Sequence, residues 1–262
     1  MTDQDLAFTP AWRLRELIVS KQVSPVELTQ LYLARIRELN PGLNAYLTVA
    51  AEQSLADARR AEAKVRPNAS LGPLHGIPIA IKDLTSTRGI RTTRGSLIFK
   101  EFVPDVDEIV VARIRQAGAI ILGKTNTPEF GISATTENLL GDACRNPWDP
   151  ERTSGGSSGG AGAAIAAGLA PLAQGSDAGG SIRIPASLCG IYGIKPSQGR
   201  VARLYSGPGG WGQLAQNGPM TRTVRDAAML LQVMSGPDPA DPTAIKEPPP
   251  DFPDVRSVLG TV

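Results

Sequence analysis

The chain has 262 residues, 41% of them apolar and 20% charged, which suits one substantial core or two modest ones in an ordinary globular protein. Its formal net charge of +2, with no run of basic residues, gives no electrostatic reason to expect nucleic acid or an anionic membrane as partner. There is no basic-then-apolar leader pattern and no apolar run of about eighteen residues, and two cysteines do not make a disulfide framework, so the expected compartment is the cytoplasm.

The first nine residues are polar and acidic and run into a short amphipathic helix over 10–21. Ser24-Pro25-Val26-Glu27 is a capping box with proline at the first helical position. Leu28, Leu31, Tyr32, Ile36 and Leu39 then repeat at helical spacing up to Asn40-Pro41. A short strand over 45–49 and an alanine-rich charged helix to about Lys64 follow. Residues 77–82 read as a buried strand ending at Lys82-Asp83, 105–117 as a helix and 119–122 as a β-branched strand. Residues 158–169 read as a helix built of glycine and alanine, which requires close packing against its neighbours. Brief apolar strands at 172–174 and 191–194 lie on either side of Ser181, and Thr223 caps a last helix over 224–234. Strands alternating with helices argue for an α/β fold with a central sheet.

The organisation expected is one domain over 1–262: a helical N-terminal part (about 1–65), a core (about 66–236) and a Pro-rich tail (237–262) that reads as a linker or exposed loop. Glycine (28) and proline (22) are over-represented against an average of about 12% combined, and much of the glycine lies between 155 and 193. That stretch demands close backbone approach and unusual dihedrals.

Two motifs fail on context. Gly118 to Thr125 matches the phosphate-loop pattern, but its four central residues, Ala119, Ile120, Ile121 and Leu122, are strand formers, preceded by a helix and followed by Asn126-Thr127-Pro128. Gly155-Gly156-Ser157-Ser158-Gly159 matches the nucleophile elbow of α/β-hydrolases, which needs a histidine later in the chain. The single histidine, His75, comes earlier and reads as a structural hydrogen-bonding group beside Gly76. One histidine and two distant cysteines supply no zinc site, and no cofactor is expected.

Without histidine a serine needs another base, and lysine serves when burial strips its charge. Lys82 stands at a strand end, and two glycine-embedded serine clusters follow: Gly155-Gly-Ser-Ser-Gly-Gly160 and Gly175-Ser-Asp-Ala-Gly-Gly-Ser181-Ile-Arg183. Together these residues resemble the amidase signature family, as do the flanking Pro73 to Asp83, Gly123-Lys-Thr-Asn126 and Cys189-Gly-Ile-Tyr-Gly-Ile-Lys-Pro196. The resemblance runs from about residue 10 to about 245.

The resemblance implies a mixed central sheet flanked by helices and a Ser–cis-Ser–Lys triad. Ser181 matches the nucleophile, Ser157 the bridging serine after a cis bond from Gly156, and Lys82 the base. Ala178, Gly179, Gly180 and Ser181 match the oxyanion hole. Ser158, Ser176, Asp177 and Arg183 match supporting positions: hydroxyls feeding the relay and an ion pair bracing the loop. Asp83, Asp177 and Arg183 are each open to either a supporting or a purely structural part, whereas Lys124, Cys144 and Cys189 read as structural. Family members are commonly longer, so the expectation is a chain lacking the C-terminal half that completes the sheet and much of the acyl pocket.

The function implied is amide hydrolysis, giving acid plus ammonia or amine through an acyl-enzyme on Ser181. The partners expected are a small-molecule amide and, at most, a second copy of the chain; neither nucleic acid nor membrane is expected. The alternatives are the glutaminase-type subunit of a tRNA-dependent amidotransferase and an inactive fragment. The segments 127–131 and 204–216 look more like general amidases than like that subunit.

Overall fold

The computed structural model describes residues 2–204 and 212–252. Its helices are α1 (Asp3–Phe8), α2 (Ala11–Val19), α3 (Pro25–Leu43), α4 (Ala51–Lys64), α5 (Ile109–Gln116), α6 (Gly159–Ala166), α7 (Arg183–Cys189) and α8 (Val224–Met234). Its strands are β1 (Tyr46–Val49), β2 (Pro78–Lys82), β3 (Ile120–Thr125), β4 (Arg145–Asn146), β5 (Asp149–Thr153), β6 (Leu172–Asp177), β7 (Tyr192–Gly193) and β8 (Gln216–Thr221).

Six strands form a mixed sheet in the order β1-β3-β2-β6-β8-β7, and β4 and β5 pair as a separate ribbon. The central β3, β2 and β6 run parallel, as strands joined through helices do. The flanking β1 and β8 run antiparallel to their inner neighbours. β2, β3 and β6 are buried along their whole length, the signature of strands covered on both faces. Ile79, Ile81, Ile121 and Leu172 join Leu14, Leu28, Tyr32 and Leu230 in one apolar cluster. Among the described residues no helix is long and apolar enough to cross a membrane.

Capping chemistry sets several helix ends. The Ser24 hydroxyl accepts from the amides of Val26 and Glu27 while Glu27 reaches back, so the predicted capping box opens α3. Thr223 likewise accepts from Asp226 N and opens α8. Four differences from expectation have local causes. A further capping box, Thr2 with Asp5, opens α1 within the stretch that reads as merely polar. α3 runs through Pro41 to Leu43 and ends on Asn44 in the left-handed conformation. α5 starts at Ile109 rather than near 105, because the Asp107 carboxylate is turned back to accept from Arg88 N and pair with Arg115. β8 lies where no strand is expected, because Gly218 and Pro219 fall inside it; a Cβ at Gly218 would come within 2.1 Å of the Ile194 carbonyl oxygen.

The segment expected to be a linker is fastened as far as Phe252. Gly236 N and Ile245 N donate to the carbonyls of Arg200 and Gly199. Arg113 donates to the carbonyls of Met234, Gly236 and Pro237, and Phe252 N donates to Gln232 Oε1. Residues 253–262 lie outside the described residues.

Candidate active site

Lys82 is the last residue of β2, where the strand leaves the sheet at its C-terminal edge. Its side chain is fully buried and ends among oxygens: Nζ donates to Ser157 Oγ (2.7 Å), Ser158 Oγ (2.8 Å) and the Ser176 carbonyl (3.3 Å). Burial drives the Lys82 amine well below the ordinary lysine value; Asp177 acts against this and Arg203 adds to it.

Ser157 and Ser158 lie in the turn before α6, and the Gly156–Ser157 peptide bond is cis. The turn is wedged between backbones. A Cβ at Gly156 would come within 2.4 Å of the Thr135 carbonyl oxygen, and one at Gly160 within 2.3 Å of Asn126 N. The Gly/Ser pattern is therefore a packing requirement here rather than flexibility. Ser158 accepts from Lys82 and from Ser176 N (3.3 Å) and donates to the Ser176 carbonyl (3.2 Å). Ser158 N donates to the Ser181 carbonyl (3.1 Å), which draws the two serine clusters together. The Ser181 side chain itself is half-buried, and its hydroxyl bonds to no group among the described residues.

Asp177 organises the Ser181 loop. Its carboxylate accepts from Gly180 N (2.7 Å), Ile182 N (3.1 Å) and Arg183 N (3.4 Å), and bidentately from Arg183 Nε and Nη2 (2.9 and 3.0 Å). Burial raises the Asp177 pKa, but the Arg183 pair and the three amides outweigh it and hold the group at about 2. Two expectations shift here. The Gly180 N–H is taken by Asp177, which removes it from the four amides expected to face an oxyanion; those of Ala178, Gly179 and Ser181 donate to nothing among the described residues. Ser176 meets Lys82 and Ser158 through its backbone, not its hydroxyl.

The remaining residues fall outside this cluster. His75 Nε2 lies 2.9 Å from the Ala61 carbonyl oxygen. Lys124 lies in β3, not in a phosphate loop, and donates to the Thr85 carbonyl, Thr87 Oγ1 and Thr92 Oγ1. Asp83 is buried and accepts from Thr93 N (3.0 Å) and the Thr93 hydroxyl. Cys144 and Cys189 are free and buried.

Sequence reasoning passes over two residues. Gly131, with φ +74°, lies so close that a Cβ there would come 3.2 Å from Ser157 Oγ; a loop glycine gives no signal of that. Gln174 accepts the Lys82 N–H, and a polar residue in an apolar strand is a signal that could find it.

A family profile described as Amidase matches residues 27–259. The chain belongs to the amidase family. A glutamyl-tRNA(Gln) amidotransferase subunit from Trichodesmium erythraeum is 47% identical over 239 residues, covering 91% of this chain and 49% of that protein. A bacterial aryl acylamidase of the amidase signature enzymes superposes with a TM-score of 0.88 at 36% identity, covering 94% of this chain and 51% of the other. The 6-aminohexanoate cyclic dimer hydrolase, solved with its substrate, gives 0.86 at 37%, with coverages of 95% and 51%. The chain thus spans about half the length of the relatives it matches.

Proposed function

We propose that the protein hydrolyses a carboxamide C–N bond through an acyl-enzyme on Ser181, with Lys82 as the base acting through Ser157. The observation that carries this reading is the buried Lys82 amine at 2.7 Å from Ser157 Oγ, in a pocket that disfavours its charge. In the neutral form Nζ accepts the Ser157 proton while Ser157 Oγ accepts that of Ser181, whose oxygen adds to the carbonyl carbon. This requires the Ser181 hydroxyl to turn onto Ser157. The oxyanion of the tetrahedral adduct faces the amides of Ala178, Gly179 and Ser181. The proton on Lys82 returns through Ser157 to the leaving nitrogen, and the C–N bond breaks. Water, deprotonated by the same relay, then releases the acid and restores Ser181.

Asp177 and Arg183 hold the loop, and Ser158 holds Lys82. The two free, buried cysteines support a reducing compartment, the cytoplasm. A fluorophosphonate probe tests the assignment: wild type labels at one site, and Ser181→Ala abolishes both labelling and amide hydrolysis. Undiminished labelling of Ser181→Ala overturns it.

A second reading is favoured by the 47% identity to the amidotransferase protein: the acyl donor is then glutamine and the ammonia passes to a partner subunit. The segment 127–131 argues for a general amidase, and of the segment 204–216 residues 205–211 lie outside the described residues. Glutamine hydrolysis that appears only with partner subunits selects the second reading; hydrolysis of other amides by the protein alone selects the first.

A further inference from the structure

We propose that Gln174 is a positioning residue for Lys82, fixing the strand end from which the base reaches Ser157. The inference rests on the proposed role of Lys82 and starts from the point where the sheet opens. The β2–β6 ladder ends at the pair Ile81–Gln174. One residue on, the Lys82 N–H meets the Gln174 side chain instead of a β6 carbonyl, donating to Oε1 at 3.1 Å. Asp83 N, the next along, turns the other way to the Thr125 carbonyl of β3. Lys82 is therefore held to β6 at its backbone by Gln174 and at its amine by the Ser176 carbonyl.

Gln174 is itself fixed from all sides. Oε1 also accepts from Thr85 Oγ1 (3.1 Å), while Nε2 donates to the Gly175 carbonyl (2.8 Å) and to Asn217 Oδ1 (3.0 Å). Both acceptor sites and both donors of the amide are used, so only one orientation satisfies the buried group. Asn217 is held in turn by its Nδ2–H to Glu108 Oε1 (3.1 Å). Gln174 is fully buried and Asn217 nearly so. A flipped amide would present N–H groups to two donors, a costly arrangement in a dry interior. The network thus leaves the Lys82 N–H one acceptor in one place. An apolar side chain at 174 frees the strand end to drift, and a displacement of about 1 Å in a reacting group can cost on the order of 10²-fold in rate.

The charged groups acting on the Lys82 amine are Asp177 and Arg203. Asp83 follows it directly, and Glu108 closes the network behind Gln174. None of these is altered by a change at 174.

The test is the rate of fluorophosphonate labelling at Ser181 against pH, read as a plateau and a midpoint, with thermal melting alongside. Lys82→Ala calibrates it: if that variant labels like wild type, the reading of Lys82 as base fails and the Gln174 result does not bear on it. If Lys82→Ala is impaired, Gln174→Met is expected to lower the plateau at least about tenfold and move the midpoint upward, as the loosened amine regains water. Thr85→Val, which removes the other donor to Oε1 but leaves Lys82's bond, should keep the plateau within about threefold and the midpoint in place. Gln174→Asn keeps a buried amide but, one methylene shorter, withdraws the oxygen from the Lys82 N–H, so it too should lower the plateau and move the midpoint upward. A folded Gln174→Met with wild-type plateau and midpoint overturns the proposal. So does a plateau loss shared equally by Thr85→Val, which marks a purely structural role. If Gln174→Met does not fold, Gln174→Asn decides: a wild-type plateau and midpoint in that variant overturn it.

Discussion

Two lysines at the ends of adjacent parallel strands, Lys82 on β2 and Lys124 on β3, are both fully buried and nearly identically ligated. Each amine donates to two hydroxyls and one carbonyl: Ser157, Ser158 and Ser176 for Lys82, Thr87, Thr92 and Thr85 for Lys124. The difference lies in the charges around them. Burial lowers Lys124 to about 8; three carboxylates, Asp83, Glu108 and Asp107, restrain the fall, and Arg115 adds to it. Lys82 has Asp177 alone on its side, already paired with Arg183, and Arg203 against it. On the proposed reading, the same hydrogen bonds therefore support a base in one place and a cationic brace in the other. What separates them is the supply of counter-charge rather than ligation.

The largest effect that can break this comparison is on activity. Lys82→Met should lower Ser181 labelling and amide hydrolysis by about 10²–10⁴-fold in protein that melting shows to be folded, since it removes the amine and keeps an apolar chain of similar length. A Lys82→Met variant that keeps most of its activity would make the two lysines equivalent and remove the contrast.

The reciprocal substitution should act on stability. Lys124→Met strands the Thr85 carbonyl and two threonine hydroxyls and removes a positive charge that favours the Asp83 carboxylate, at an expected cost of about 2–4 kcal/mol. It should move the midpoint of the labelling profile little. Chemical denaturation together with the labelling profile checks both halves.

A smaller effect follows from linkage. Between about 8 and the ordinary lysine value of 10.5, an unfolded chain binds a proton that folded Lys124 does not. Stability should thus rise with pH across that window, the penalty of burying the charge being fully present below it. Buried Cys144 and Cys189, raised from 9.0 to about 12, pull the other way above about pH 9, so the Lys124 share is read as the stability difference between wild type and Lys124→Met. From about pH 7.5 to about pH 10 that difference should shift in favour of wild type as pH rises; a shift in favour of Lys124→Met would reverse the sign.

Most of what positions the site was legible in the sequence, for reasons that can be named. β2 and β3 are short apolar runs, and the Ser24 and Thr223 caps announce α3 and α8 through their own hydroxyls. The serine clusters stood out because glycine is needed wherever the turn meets the backbones of Thr135 and Asn126. What was hidden depends on tertiary neighbours. Gly218-Pro219 masks β8, and only pairing with β6 and β7 makes it a strand. The loss of Gly180 from the expected oxyanion donors is likewise a matter of where Asp177 folds back, which spacing does not reveal.

The contrast between the two lysines is tested most directly by following their amines. In protein labelled with ¹³C and ¹⁵N at lysine side chains, Lys82→Met and Lys124→Met assign the two buried signals by their disappearance. The account predicts that Lys124 titrates at about 8 and that Lys82 changes state well below the surface lysines. A Lys82 signal that titrates with the surface lysines, at about 10.4, would contradict it.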